Sequence, residues 1–190
     1  LVRKSMGNSV SGYYNYYADN VSSASVDVVT QASPYEEERD ENSVGLDYLH
    51  GKSTLSIGYT SSKESDYDAN TYSFSISQDM FGDLTTVSLG YSRGSNIVRR
   101  NGDANFEEKA RSRSYRVSLS QILTKNMMMG DTTKTIADEE YLNNPYRSVR
   151  YVDPVSPIGF SYQPEIYPGT RTSDTAAMCL QYYLLFTACL

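Results

Sequence analysis

NTYSFSISQDMFGDLTTVSLGYSRG, running from Asn70 to Gly94, is the stretch on which the fold turns. Tyr72, Phe74 and Ile76 are separated by Ser73 and Ser75, while Val87, Leu89 and Tyr91 enclose Ser88 and Gly90. A period of two puts the apolar side chains on one face of a strand and the small ones on the other. Asp79 to Asp83 (DMFGD) lies between the two runs and has the composition of a tight turn. The stretch therefore reads as a β-hairpin, and its Ser, Thr, Val and Tyr content favours strands over helices.

The same alternation extends in both directions. Leu55, Ile57 and Tyr59 enclose Ser56 and Gly58; Val44, Leu46 and Tyr48 enclose Gly45 and Asp47; Tyr115, Val117 and Leu119 enclose Arg116 and Ser118. Val26 and Val28 flank Asp27, and Ala176 to Leu184 alternates in the same way. Short turns are expected at Asp19 to Ser22, at Gly51 and Lys52, at Asp79 to Asp83 and at Thr124 to Asn126. Long polar connections are expected at Ser33 to Asn42, Ser62 to Asn70, Gly94 to Arg113 and Asp138 to Ser173. Short and long alternate, which is the pattern of a meander crossing a bilayer with tight turns on one side and loops on the other. About nine strands follow, near residues 9–18, 23–32, 43–50, 53–61, 71–78, 84–93, 114–122, 126–136 and 174–185.

Face polarity separates a membrane barrel from a soluble one. A soluble barrel fills its interior with the apolar face and covers its exterior with Lys and Glu. Here the second face is Ser, Gly, Thr and Asp, which suits a lumen. Leu46, Leu55, Ile57, Phe74, Ile76, Val87, Leu89, Val117 and Leu119 are expected to point outward to lipid. Asp47, Ser56, Ser75, Ser88, Arg116 and Ser118 are expected to point inward, and Asp27, Asp47 and Arg116 to line the lumen. Tyr59, Tyr72, Tyr91 and Tyr115 fall at the loop-side rim as an aromatic girdle, with each ring at the interface and its hydroxyl in water. By the same bookkeeping Tyr14, Tyr16, Tyr48 and Tyr182 fall toward the opposite rim.

Composition agrees with this class. The 190 residues carry 18 Tyr against 5 Phe and no Trp, and a net charge of -6, which disfavours nucleic acid as a partner. No apolar run is long enough for a membrane-spanning helix, but a barrel strand shows lipid only every second side chain. LVRKS (Leu1–Ser5) is basic but is followed by no apolar stretch, so a leader was removed or the segment is internal. Cys179 and Cys189 lie about 33 Å apart if the chain between them is extended, which reads as unpaired thiols.

ASPYEEERDENSVGLDYL (Ala32–Leu49), the opening stretch, VRRNGD (Val98–Asp103), YRVSLSQILT (Tyr115–Thr124) and YLNNPYRSVRYVDP (Tyr141–Pro154) resemble a domain-of-unknown-function family of proteobacterial outer-membrane β-barrel proteins, over roughly residues 6–178. The resemblance implies an outer-membrane barrel longer than this chain, with no established activity and no catalytic residues to carry over. Asp131 departs from the pattern, because it occupies an expected outward position, and so does the ending MCLQYYLLFTACL (Met178–Leu190).

Candidate chemistry is sparse. The one histidine, His50, adjoins the short turn Gly51-Lys52, so a Ser-His or Asp-His site at the outer rim has no base, and the protein reads as not an enzyme. Asp66, Asp68 and Asn70 open like a calcium loop, but Thr71 replaces the glycine and Ser77 the bidentate Glu. That segment and Glu36, Glu37 and Glu38 read as solvated acidic loops, with no metal and no cofactor. Arg93, Arg99, Arg100, Lys109, Arg111, Arg113 and Arg116 are interleaved with acids. They form either a clamp for lipopolysaccharide phosphates or an internally paired loop. In the loop YLNNPYRSVRYVDP, Pro145 and Pro154 add stiffness, while Tyr146, Arg147, Arg150 and Tyr151 offer stacking and charge. It plugs the lumen, recognises a partner or packs on itself.

The expected architecture is a single all-β domain over residues 1–190: an antiparallel up-and-down transmembrane β-barrel, present as an incomplete portion. The expected function is that of a passive, porin-like conduit or envelope scaffold in the outer membrane of a Gram-negative bacterium. Its partners would be the lipid bilayer, lipopolysaccharide and other envelope proteins, and no nucleic acid. The alternative is a soluble or surface β-barrel or sandwich binding protein. Nine strands cannot close an antiparallel ring, so open edges are expected near residues 10–18 and 174–185.

Overall fold

The computed structural model describes residues 1–22 and 36–184. Eleven strands are present among them: β1 (Val2–Met6), β2 (Val10–Ser22), β3 (Glu36–His50), β4 (Ser53–Lys63), β5 (Tyr67–Met80), β6 (Thr85–Arg100), β7 (Asp103–Thr124), β8 (Met127–Glu140), β9 (Ser148–Val152), β10 (Phe160–Pro164) and β11 (Thr170–Tyr182). Nine of them form one antiparallel up-and-down sheet in the order β1-β2-β3-β4-β5-β6-β7-β8-β11, and β9 and β10 make a separate hairpin. No helix among the described residues is long and apolar enough to cross a membrane, a fact that does not bear on strands.

Register confirms the two faces. Leu46 stands opposite Ile57, Ile57 opposite Phe74, Phe74 opposite Tyr91, and Tyr91 opposite Tyr115. The next row runs Tyr48, Leu55, Ile76, Leu89, Val117. The intervening positions form the other face, with the row Ser11, Asp47, Ser56, Ser75, Gly90, Arg116, Lys134. Among the described residues no second layer covers the apolar face: Ile57 is 54%, Leu89 50% and Val117 52% exposed. Ala110 is the one buried apolar residue among those described. A single depression of about 600 Å³ reaches from Arg3 on β1 to Arg116 and Ser118 on β7, so the hydroxyl-rich face is the concave one.

The sheet has nine strands, but not the nine expected. Asp19 to Ser22 continues β2 instead of turning, and β2 pairs directly with β3, Ser22 opposite Glu36. The strand expected over 23–32, with Asp27, lies outside the described residues. The additional strand is β1, joined to β2 through Gly7 at φ 70°, a left-handed conformation that glycine adopts without steric cost. This reverses the direction assigned to β2. Tyr14 consequently pairs with Val44, in the row of Tyr59, and Tyr16 lies one step further up, so both lie toward the loop-side end of the sheet and not toward the opposite one.

Three of the four long connections are also largely strand. Residues 62–70 and 94–113 narrow to tips at 64–66 and 101–102, β3 already begins at Glu36, and β7 is 22 residues long. Above the apolar band these strands are held by backbone pairing and by cross-strand ion pairs, such as Arg99 to Asp68 at 2.7 Å and Arg113 to Glu139 at 3.2 Å. A strand with both faces polar has no hydrophobic period, which is why it read as loop. Among the described residues β1 and β11 do not pair with each other. One open edge is therefore β11, as expected, and the other is β1 instead of residues 10–18.

Candidate functional site

The site is the concave face, and its wall begins with a glycine pair. Gly45 and Gly58 face each other across β3 and β4, and the ring of Tyr13 from β2 lies over them. A Cβ on Gly45 would stand 2.5 Å from the ring, so that glycine is needed for the aromatic to lie flat, while one on Gly58 would meet Ser73 Oγ at 2.7 Å and the Tyr13 hydroxyl at 3.2 Å. The guanidinium of Arg3 stands over the same ring at 5.2 Å and donates to Asp47 Oδ2 at 2.7 Å. Ser56 donates to the other carboxylate oxygen at 2.7 Å and Ser11 to Oδ2 at 3.3 Å. Asp47 lies on the concave face, and its charge is matched by Arg3. Neither Arg3 nor Tyr13 stands out in the sequence, since each does its work through residues on other strands.

Across the face the hydroxyls join in pairs: Ser43 with Thr60, Ser88 with Ser77, and Thr132 with Ser118, each at 3.0 Å. Arg116 also lies on the concave face. Its neighbour on β8 is Lys134, and no hydrogen bond or ion pair engages either side chain among the described residues.

At the loop-side end, residues 141–146 fold over the concave side. They line a second hollow of about 570 Å³ with Tyr67, Asn96, Ser112 and Asp138, the last of these paired with Arg171 at 2.6 Å. Tyr146 ties this loop down: its hydroxyl donates to Asp66 at 2.5 Å and accepts from the Asn101 amide at 2.8 Å. Desolvation and the Asp66 carboxylate raise its phenol above the ordinary value of 10.0, against the pull of the Asn101 amide. A raised phenol pKa stabilises the docked, neutral form below pH 10, and that contribution disappears as the pH climbs through the folded value. The loop is thus expected to stay docked at neutral pH and to release in strong alkali. Tyr146→Phe should release it at neutral pH, accelerating amide exchange at Asn101 about fivefold for a hydrogen bond worth about 1 kcal/mol. Unchanged exchange would show that Tyr146 is not the tie.

The other candidates are spread out. The rings of Tyr59 and Tyr72 lie tilted against each other with centroids 5.0 Å apart, and those of Tyr91 and Tyr115 at 5.3 Å, so the four tyrosines form two adjacent pairs on the convex face. Arg99 is held by Asp68 and Glu107, and Arg111 by Glu140, while no ion pair engages Arg100 among the described residues. Arg147 begins the β9–β10 hairpin, where its carbonyl accepts from Glu165 at 3.2 Å. Arg150 lies over Phe160 at 4.9 Å, and Tyr151 pairs with Ser161, so the hairpin packs on itself. This hairpin lies inside the expected loop and was missed, because five-residue strands carry too short a period to read.

Asp66, Asp68 and Asn70 do not converge: they bond Tyr146, Arg99 and Tyr59 respectively. No group of three metal-ligating side chains occurs among the described residues. His50 stacks on Tyr48 at 6.2 Å beside the short turn. Cys179 is exposed on β11, and Cys189 lies outside the described residues.

No curated protein and no solved structure matches the chain. A family model described as protein of unknown function (DUF3570) matches residues 7–189, and the chain belongs to that family.

Proposed function

We propose that this sheet is the transmembrane wall of a β-barrel in the outer membrane of a Gram-negative bacterium, serving as a passive, porin-like conduit or as the scaffold of an envelope complex, without a catalytic role. The observation that carries this reading is the uncovered apolar face. Leu46, Ile57, Phe74, Leu89 and Val117, on five successive strands, are all 44% exposed or more, in a sheet with no apolar core on its other side among the described residues. In water such a contiguous surface is an aggregation liability, whereas in lipid it is the solvent-facing side.

The tyrosine pairs border this band on the side where the strands become charged, as expected at a membrane interface. The resemblance to proteobacterial outer-membrane proteins points the same way. Asp131 interrupts the band between Leu119 and Met178, and with Thr133 and Thr135 it marks the β8–β11 sector as the part of the convex face least suited to lipid. The partners follow from this placement: the bilayer around the apolar band, lipopolysaccharide or other envelope proteins at the arginine-rich rim.

Cell fractionation tests the reading. The protein should sediment with outer membranes, require detergent for extraction, and migrate differently on gels before and after heating. A protein that stays monomeric in detergent-free buffer is instead the soluble binding protein.

A further inference from the structure

We propose that Arg116 and Lys134 form a binding site for small oxyanions on the concave face. The proposal rests on reading that face as a water-filled lumen and adds the class of solute it favours. The two residues stand directly opposite each other on β7 and β8. Like charges in that position repel across an antiparallel pair, and the usual relief is a carboxylate between them. None is engaged by either residue among those described. Asp47 shares the depression but is taken by Arg3, Ser56 and Ser11. Asp138, on the same face of β8, is taken by Arg171, and Asp131 lies on the opposite face.

The floor beside the pair is made of small groups. Gly90 and Ser75 continue the row away from Arg116, and Ser114, Ser118 and Ser88 border it in the depression. An anion placed here meets a guanidinium with its planar fork of donors, an ammonium and hydroxyl donors, while the small neighbours leave it room. Arg116 lines the depression and Lys134 stands beside it on the next strand, and two adjacent uncompensated cations raise the local concentration of anions.

The test is a titration of the whole chain, folded in nonionic detergent, with inorganic phosphate, followed through the Arg and Lys side-chain resonances. Saturable shifts are expected at Arg116 and Lys134 and not at Arg99. Arg116→Gln with Lys134→Gln should weaken the binding by about tenfold or more. Arg116→Glu gives Lys134 a carboxylate partner and removes the repulsion, so it should fold at least as well as the parent and lose the saturable response. Heat-modifiable migration reports folding of each variant. A response that persists in Arg116→Glu, or one that never saturates in the parent, overturns the site.

Planar-bilayer recording separates this outcome from the larger reading. Phosphate binding without conductance removes the conduit and leaves the site. Conductance combined with a titration unchanged by Arg116→Glu removes the site and leaves the conduit.

Discussion

Leu89→Arg is expected to destabilise the folded protein in lipid vesicles by about 2–4 kcal/mol, the cost of a cation on the lipid face of a barrel near mid-membrane. Leu89 is half exposed on the convex face, between Ile76 and Val117 and one row below the tyrosine pair at Tyr91 and Tyr115. Ser88, its immediate neighbour, faces the concave side and bonds Ser77. Ser88→Arg should therefore cost only about the 1 kcal/mol of a lost hydroxyl bond, although it adds the same charge. Guanidinium titration of both variants in the same vesicles gives the contrast. For a soluble protein the order reverses: an arginine at a half-exposed surface position costs little, and one pressed into the polar interior costs more. Equal effects at the two positions would sink the assignment of faces.

Gly45→Ala should cost about 1–3 kcal/mol, the range for forcing a methyl group into an occupied site. The Tyr13 ring cannot simply swing aside. Gly45 and Gly58 lie beneath it and Arg3 above, and Arg3 is itself anchored to Asp47. Tyr13→Ala removes the obstacle, so in that background the added methyl should be tolerated, and the double-mutant cycle should show a coupling of similar size. If the two substitutions simply add, the ring does not rest on the glycine. The expected loss is local to the β2–β4 wall, where Ser11, Ser56 and Asp47 would be left without the arginine that organises them. Together the two experiments separate the requirement for an outside solvent from the requirement for interior packing.

Reading the chain was most successful where the period of two is unbroken. From Val44 to Leu119 each apolar residue assigned to one face stands beside the others in the register, and the turns at Gly51-Lys52 and Asp79–Asp83 fall where turn residues cluster. It failed where alternation carries charge in place of apolar groups. Arg111 and Arg113 belong to a strand as surely as Val117 does, but their partners Glu140 and Glu139 lie on β8 and add no local period. It failed also at Asp19–Ser22, where turn-prone residues are held extended by β3. Of the candidate site residues, Asp47 and Arg116 could be placed by parity alone. Arg3, Tyr13 and Lys134 could not, because what each one touches is set by the pairing of strands.

By itself, then, the sequence determined the class of structure: antiparallel strands in an up-and-down order, one face apolar, the other small and polar, because side-chain direction in a strand depends only on position along the chain. Tertiary structure decided which strands are neighbours, how far they run beyond the apolar band, and that the polar face is the concave one. Those properties depend on register, and register sums backbone pairing and side-chain contacts between segments far apart in sequence. It also decided that the charge of Asp47 is matched while those of Arg116 and Lys134 are not, since an ion pair is a matter of distance in space.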